Sequence, residues 1–189
     1  QSHWPRIAAI DFGWDHPTAV VWCAIDRDEE MFYVYDCYRA SKASPAVHAA
    51  VLRSRPHFIP IAYPHDGNRR DSMGNPGLAD QYRNAGCNFL LEHFTNPPAL
   101  GNNKGSNSIE EGLMAMLQSV EAGKFKVFST LSDWFEEFRM YHRKDNKVVP
   151  LRDDLMSATR YAFQSQRFAV AGEDPTWTQD VEYRNYGII

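Results

Sequence analysis

The chain has 189 residues and a mass of 21.7 kDa, which is the size of one ordinary domain. Its hydrophobic content of 43% indicates a globular protein and excludes disordered and collagen-like chains. The net charge of −4 argues against a protein that binds nucleic acid constitutively through a strongly basic surface. No apolar run approaches the roughly 18 residues of a membrane span, so we expect no membrane partner. The three scattered cysteines predict free thiols in a reducing compartment.

The first half of the chain predicts a sheet with interspersed helices. Three apolar runs joined by short polar segments are typical of an antiparallel three-strand meander. They are followed by a helix that opens at Ser44-Pro45, because serine caps helices and proline is tolerated at the first helical position. The predicted strands are 7–10, 19–25, 31–38, 58–63 and 87–92, and the predicted helices are 46–53 and 77–85.

The second half is expected to alternate between helices and one more strand. Turn residues dominate 94–107, which predicts a loop. Ser108 and Glu111 form a capping-box pattern at the start of a helix that stops at Gly123. The remaining predicted elements are a strand at 124–128 and helices at 131–142 and 153–168. The order of elements predicts an α/β fold.

Acidic residues lie where predicted elements begin or end. Asp11 ends the first strand, Asp66 follows the fourth, and Asp153-Asp154 opens the last helix. Ligand sites in open α/β sheets lie at the carboxyl ends of strands. Hard divalent cations such as Mg²⁺ and Mn²⁺ take carboxylate oxygens, and two such ions can hydrolyse a phosphodiester. These residues therefore predict a shared site for two metal ions.

Each of these aspartates also has a purely structural interpretation. An aspartate before glycine is typical of a turn, as at Asp66, and an aspartate opening a helix is typical of an N-cap, as at Asp153. Helical spacing puts Asp154 on one face with Ala158 and Tyr161. We therefore favour Asp154 as the ligand from the last helix and keep Asp153 as a shared ligand or supporting residue.

Two other motifs of phosphate chemistry do not fit this sequence. The glycines and lysine between Gly101 and Ser106 do not have the spacing of a P-loop. Asp11-Phe12-Gly13 matches the metal-binding tripeptide of protein kinases, but the other kinase signatures are absent from the sequence.

Taken together, five segments resemble the nuclease domain of the large terminase subunits of tailed phages, of the headful-packaging type. The first, second and third acidic motifs of that family are similar to segments here, as are two segments that lie between the second and third motifs. In chain order the five segments are 10–19, 66–67, 105–117, 134–141 and 153–162. Where the family usually has Asp-Ala after the aspartate pair, this chain has Ser157-Ala158.

The resemblance implies an RNase H-like fold: a mixed sheet, made of an antiparallel three-strand meander plus parallel strands, flanked by helices. It implies an endodeoxyribonuclease that cleaves concatemeric double-stranded viral DNA during packaging, with two Mg²⁺ or Mn²⁺ ions. Catalysis would depend on Asp11, Asp66 and Asp154, and the metals would be held by these three and Asp153. The implied partners are double-stranded DNA, an N-terminal ATPase domain absent here, the portal protein and the small terminase subunit. The implied location is the cytoplasm of the infected bacterium.

The expected division of the chain is a linker or remnant at 1–6, the nuclease domain at 7–168 and a tail at 169–189. Arg69, Arg70 and Lys104 lie in or near loops and are candidates for contacts with the DNA backbone, although solvated loop charges are an equal interpretation. Two alternatives remain open. One is another RNase H-like enzyme, a junction resolvase or an RNA–DNA hybrid nuclease. The other is a non-catalytic docking module in which the aspartates are structural caps.

Overall fold

A computed structural model describes residues 3–69, 74, 76–98, 105–144, 147–149 and 151–172. Its centre is a five-stranded sheet with the order β4-β1-β2-β3-β5. The strands β1, β2 and β3 are antiparallel, whereas β4 runs parallel to β1 and β5 parallel to β3. The bounds are β1 Arg6–Asp11, β2 Thr18–Asp26, β3 Met31–Ala40, β4 Ile61–Ala62 and β5 Phe125–Val127. The predicted mixed sheet is confirmed.

Helices cover both faces of the sheet. Their bounds are α1 Pro45–Arg53, α2 Leu78–Asn84, α3 Ile109–Glu121, α4 Ser132–Met140 and α5 Asp154–Gln164. Two 3-10 turns follow β4 and α5, at His65–Asn68 and Gln166–Phe168. A small hairpin pairs β6 Arg143–Lys144 with β7 Lys147–Val148.

The sheet divides the apolar interior into two clusters. One cluster contains residues of α4 and α5, including Trp134, Leu155 and Ala162. The other lies on the opposite face and includes Leu52 of α1 and Tyr82 of α2. Because both faces are covered, the strands β1 and β2 are buried along nearly their whole length, as their continuous apolar sequences require. Every residue of α5 except Ser157 is buried, so this helix has a fixed place against the sheet.

Two predicted strands are shorter than expected or missing. The segment 58–63 pairs with β1 only at Ile61–Ala62, because Pro60 and Pro64 on either side have no N–H to donate to a ladder. The predicted strand 87–92 was wrong: only Phe89 forms an isolated bridge, to Ile61. The guanidinium of Arg83 binds the carbonyl oxygens of Leu90 and Leu91 and so takes acceptors that a longer ladder would use.

The helix ends also differ from the prediction. The helix expected to reach His142 ends at Met140, and the last helix ends at Gln164 instead of Phe168. At the latter position Arg167 donates to the Gln164 carbonyl oxygen over 2.8 Å, which satisfies the end of the helix while the chain continues as a 3-10 turn. The hairpin of β6 and β7 was not predicted, because its strands of two residues are too short and polar to give a periodic pattern.

The start of α3 is confirmed in part as a capping box. The Ser108 hydroxyl oxygen accepts from the Glu111 amide over 3.3 Å, as expected of an N-cap serine. The Glu111 carboxylate binds the side chains of Ser106 and Asn96 instead of completing the box. These contacts fasten the loop before α3 to the helix.

The sheet begins at Arg6, which also pairs with Val170. Nearby, Trp4 stacks on Tyr33 with their ring centroids 5.0 Å apart. Of the predicted tail, residues 169–172 are described and include the buried Ala169, and 173–189 lie outside the described residues. Within the described part of the chain, no helix has the length and apolar character to cross a membrane.

Candidate metal centre

Asp11 is the last residue of β1, at the edge of the sheet where β1 and the parallel β4 both end. Its carboxylate is partly buried, and Oδ1 accepts a hydrogen bond from the hydroxyl of Tyr161 on α5 over 3.3 Å. The side chain therefore points to the face of the sheet that carries α5. This contact ties the end of β1 to the last helix.

The loop after Asp11 is held shut by two hydrogen bonds. The Gly13 amide donates to the Thr18 hydroxyl oxygen over 3.2 Å, and that hydroxyl donates to the Gly13 carbonyl oxygen over 2.9 Å. A Cβ at Gly13 would lie 2.4 Å from the carbonyl oxygen of His16, so a glycine is required for this close approach. The closed loop therefore fixes the backbone that directly follows Asp11.

Asp66 lies in the 3-10 turn that follows β4 and has an exposed side chain. The next residue, Gly67, is buried, and a Cβ there would lie 2.7 Å from the ring of Phe12 and 2.8 Å from the ring of Tyr63. Phe12 directly follows Asp11. The Asp-Gly pair is therefore more than a turn signal, because the glycine lets the turn that carries Asp66 pack against the end of β1.

Asp153 and Asp154 lie at the start of α5, at the N-cap and the first helical position. Asp154 is only 8% exposed, and Asp153 is half-buried. Asp153 has the predicted N-cap position, and its carbonyl oxygen accepts from the Ser157 amide. Among the described residues, however, no side-chain hydrogen bond from Asp153 caps the helix.

The four carboxylates act on one another electrostatically. The pKa of Asp11 is raised from 3.8 to about 7. Burial is the largest cause, the nearby negative charges of Asp154, Asp66 and Asp153 add to it, and the Tyr161 hydrogen bond opposes it. Burial also raises the pKa of Asp154, followed by the charge of Asp153, and His16 opposes the shift. The pKa of Asp153 is raised by burial. These three elements therefore concentrate negative charge that a cation would offset.

The donor chemistry at this edge fits hard divalent cations. Every candidate ligand is a carboxylate, the type of oxygen donor that Mg²⁺ and Mn²⁺ prefer, and the three cysteines lie elsewhere. Within the described residues, no three His, Cys, Asp or Glu side chains already lie in positions that would hold one ion together. The fit therefore depends on the kind of donor and on the accumulated charge.

Of the predicted DNA contacts, only Arg69 is described. It is exposed and ends the 3-10 turn of Asp66, with its amide donating to the Asp66 carbonyl oxygen over 2.9 Å. Arg70 and Lys104 lie outside the described residues.

Two residues that contact this edge were not predicted from the sequence. Tyr161 was placed on the face of Asp154 by helical spacing, but its hydrogen bond to Asp11 was not foreseen. Glu137 of α4 is fully buried and its carboxylate accepts from the Leu155 amide over 2.7 Å, beside Asp154. The pair Glu136-Glu137 looks like a solvated helix face in the sequence, so no pattern distinguished the buried member.

The sequence also identifies the family to which this chain belongs. The sequence profile of the family described as the terminase RNase H-like domain matches residues 8–166. This chain belongs to that family. The predicted RNase H-like fold and the resemblance to large terminase subunits are thereby confirmed.

Individual relatives agree with the family match. The large terminase subunit of Salmonella phage P22 is 38% identical over 169 residues, which cover 89% of this chain and 33% of that protein. The solved nuclease domain of the P22 large terminase is 37% identical, with a TM-score of 0.79 over 90% of this chain and 86% of that structure. This chain spans about a third of the length of the curated relatives it matches.

A more distant structure shows the same fold. The nuclease domain of g2p, the large terminase of bacteriophage SPP1, was solved with bound Mn and is 19% identical, with a TM-score of 0.59. The match covers 87% of this chain and 88% of that structure. The terminase fold is therefore retained at low sequence identity.

Proposed function

We propose that this chain is a metal-dependent endonuclease that cleaves concatemeric double-stranded DNA during viral genome packaging. The single observation that carries the proposal is the meeting of β1, the turn after β4 and α5 at one edge of the sheet, each bringing an aspartate. The family and the similarity to the P22 nuclease domain support it. Mn bound to the SPP1 relative supports the choice of metal.

In this proposal Asp11, Asp66 and Asp154 are the catalytic carboxylates. The charges of Asp66, Asp153 and Asp154 all act on Asp11, and together these carboxylates would hold two Mg²⁺ or Mn²⁺ ions, with Asp66 on one and the pair Asp153-Asp154 on the other. When bound, such ions lower the pKa of a water and neutralise charge on the phosphate that is attacked.

The chain's own residues prepare this site before DNA arrives. Tyr161 donates to one oxygen of Asp11 and leaves the other oxygen for a cation. The closed loop of Gly13 and Thr18 and the glycine contact of Gly67 with Phe12 fix the backbone on either side. Preorganised charge of this kind costs no rearrangement during the reaction.

Double-stranded DNA is the proposed substrate, and Arg69, Arg70 and Lys104 are its proposed backbone contacts. Arg69 is exposed three residues after Asp66, within reach of DNA lying across the turn. The net charge of −4 predicts weak binding by this chain alone, strongly reduced by salt. The remaining proposed partners are the N-terminal ATPase domain of the same full-length chain, the portal protein and the small terminase subunit. The proposed location is the cytoplasm of the infected bacterium.

The test is a set of substrates incubated with the purified chain and Mn²⁺: plain duplex DNA, a four-way junction, an RNA–DNA hybrid and a plasmid. We expect cleavage of plain duplex and plasmid at similar rates, without strong sequence selection. Preference for junctions or hybrids by more than about tenfold would indicate a resolvase or hybrid nuclease. Failure to cut any substrate, together with no Mn²⁺ binding by calorimetry, would favour a docking module.

A further inference from the structure

The buried carboxylate of Glu137 lies at the start of the helix that carries Asp154. Glu137 is on α4 and is fully buried, and its Oε2 accepts from the amide of Leu155 over 2.7 Å. The first amides of a helix have no partner within the helix, and a side-chain acceptor there stabilises it. Because Asp153 supplies no such acceptor among the described residues, Glu137 caps α5 from another helix.

The second carboxylate oxygen of Glu137 is also occupied. Its Oε1 accepts from Arg39 over 3.2 Å, and Arg39 also pairs with Asp133 and Glu136 of the same helix. Arg39 is on β3 opposite Ala19, which is in turn opposite Asp11. The two contacts of Glu137 therefore connect α4, the start of α5 and the cross-strand row that contains Asp11.

The bound amide belongs to the peptide that joins Asp154 to Leu155. A hydrogen bond at this peptide restricts rotation of the backbone beside Asp154, and with it the direction of the Asp154 side chain. Glu137 and Asp154 also line one cavity of about 360 Å³, together with His16 and Arg39. Glu137 therefore lies close to the proposed ligand and is itself buried.

We infer that Glu137 is a positioning residue, which orients the Asp154 carboxylate for metal binding through its hydrogen bond to the Leu155 amide. The inference rests on the proposed function, since it assumes that Asp154 holds a metal. If this position served packing alone, an apolar residue would be expected, because an isolated carboxylate is costly to bury. The carboxylate is explained by the two donors that it satisfies.

The test is calorimetric titration of Mn²⁺ into the 189-residue chain and two variants. Glu137→Met keeps the side-chain volume and removes both acceptors. Glu137→Gln offers one acceptor oxygen to two donors, so one contact is lost. We expect Mn²⁺ affinity to fall by about tenfold or more in Glu137→Met, in the range seen when supports of metal ligands are removed, and by less in Glu137→Gln, roughly threefold, because one of the two contacts remains.

Two further readouts separate positioning from a general loss of structure. We expect faster amide hydrogen exchange at Leu155 in Glu137→Met, and a lower kcat with a KM for DNA within about twofold of wild type. The matched control is Asp36→Asn, because Asp36 is also a carboxylate that pairs with an arginine: it is on β3 and contacts Arg55 over 2.6 Å. Mn²⁺ affinity should not change in this control.

Wild-type Mn²⁺ affinity in both folded Glu137 variants would overturn the inference. If Glu137→Met does not fold, unchanged Mn²⁺ affinity in Glu137→Gln would be enough to overturn the inference. An equal loss of affinity in Asp36→Asn would also overturn it, since the effect would then not be local. A wild-type chain that binds no Mn²⁺ would instead contradict the proposed function, and the inference with it.

Discussion

The hydroxyl of Tyr161 donates a hydrogen bond of 3.3 Å to Asp11 across 150 positions of the sequence. The two residues are on α5 and β1, so the contact joins the elements that supply Asp154 and Asp11. The ring of Tyr161 also stacks on Phe94 with centroids 4.3 Å apart, which fixes where the hydroxyl lies. Asp11 is therefore oriented before any metal binds.

Removing this hydroxyl should impair cleavage without unfolding the chain. In Tyr161→Phe the stacked ring remains, but Asp11 loses a donor that lowers its pKa. We expect a loss of roughly threefold to tenfold in kcat, greater at pH 6.5 than at pH 8.5, because protons compete with the metal for Asp11 at the lower pH. The measurement is the rate of Mn²⁺-dependent plasmid cleavage at both pH values. Tyr33→Phe, at the Trp4 stack, is the control and should retain the wild-type rate.

When no metal is present, the ionised Asp11 carboxylate should lower the free energy of unfolding. Its pKa is raised from 3.8 to about 7 in the folded chain, so between these pH values the folded state keeps a proton that the unfolded state has lost. The contribution of Asp11 to stability is therefore present below pH 4 and falls as pH rises towards 7. We expect metal-free Asp11→Asn to match wild type near pH 4 and to exceed its free energy of unfolding by up to about 4 kcal/mol above pH 7, since each pKa unit corresponds to about 1.4 kcal/mol.

Urea unfolding at several pH values measures this difference. Asp28→Asn, in an exposed turn, is the control and should follow the wild-type curve. Excess Mn²⁺ should stabilise wild type and leave Asp11→Asn almost unchanged. A metal-free Asp11→Asn variant that is less stable than wild type at pH 8 would contradict the electrostatic account.

Gly67 should be needed for both stability and cleavage. A Cβ at this position would approach the rings of Phe12 and Tyr63 to less than 3 Å, so Gly67→Ala must shift the turn that carries Asp66. We expect a loss of about 1–3 kcal/mol of stability. Cleavage should fall at least fivefold at a temperature where the variant is folded.

Gly123→Ala is the matched control for that change. Gly123 has a φ of +71° and open space around its Cβ position, so alanine costs about 1 kcal/mol through the backbone alone. Thermal unfolding and plasmid cleavage should show two destabilised proteins, of which only Gly67→Ala cuts slowly. Equal cleavage by both would mean that the position of Asp66 is unimportant.

The sequence located the acidic residues but not the contacts that hold them. Asp11, Asp66 and Asp154 stand out because they end or open strongly patterned elements, and such patterns are local. The roles of Tyr161 and Glu137 depend on distances between residues far apart in the chain, which spacing cannot give. The sheet was predicted because β1, β2 and β3 are long and apolar. The strand predicted at 87–92 was wrong because the Arg83 guanidinium binds the carbonyl oxygens of Leu90 and Leu91, which a longer strand would use for pairing.

Arg69 should contribute to DNA binding and not to the chemical step. In Arg69→Ala we expect a KM for duplex DNA about threefold higher, an unchanged kcat, and a salt dependence of binding lower by about one counterion. The control is Arg53→Ala, at the exposed end of α1. Fluorescence anisotropy with a labelled duplex at 50 to 200 mM salt measures the slope. Identical slopes for the two variants would remove Arg69 from the DNA-binding surface.

The central claim is that the aspartates at this edge of the sheet hold the metal that cleaves DNA. Its most direct test is the conversion of supercoiled plasmid to nicked and linear forms by the purified chain, with Mn²⁺, Mg²⁺ or EDTA, beside Asp11→Ala. The account predicts cleavage that needs a metal and is lost in Asp11→Ala. Cleavage that persists in EDTA, or that Asp11→Ala retains in full, would contradict it.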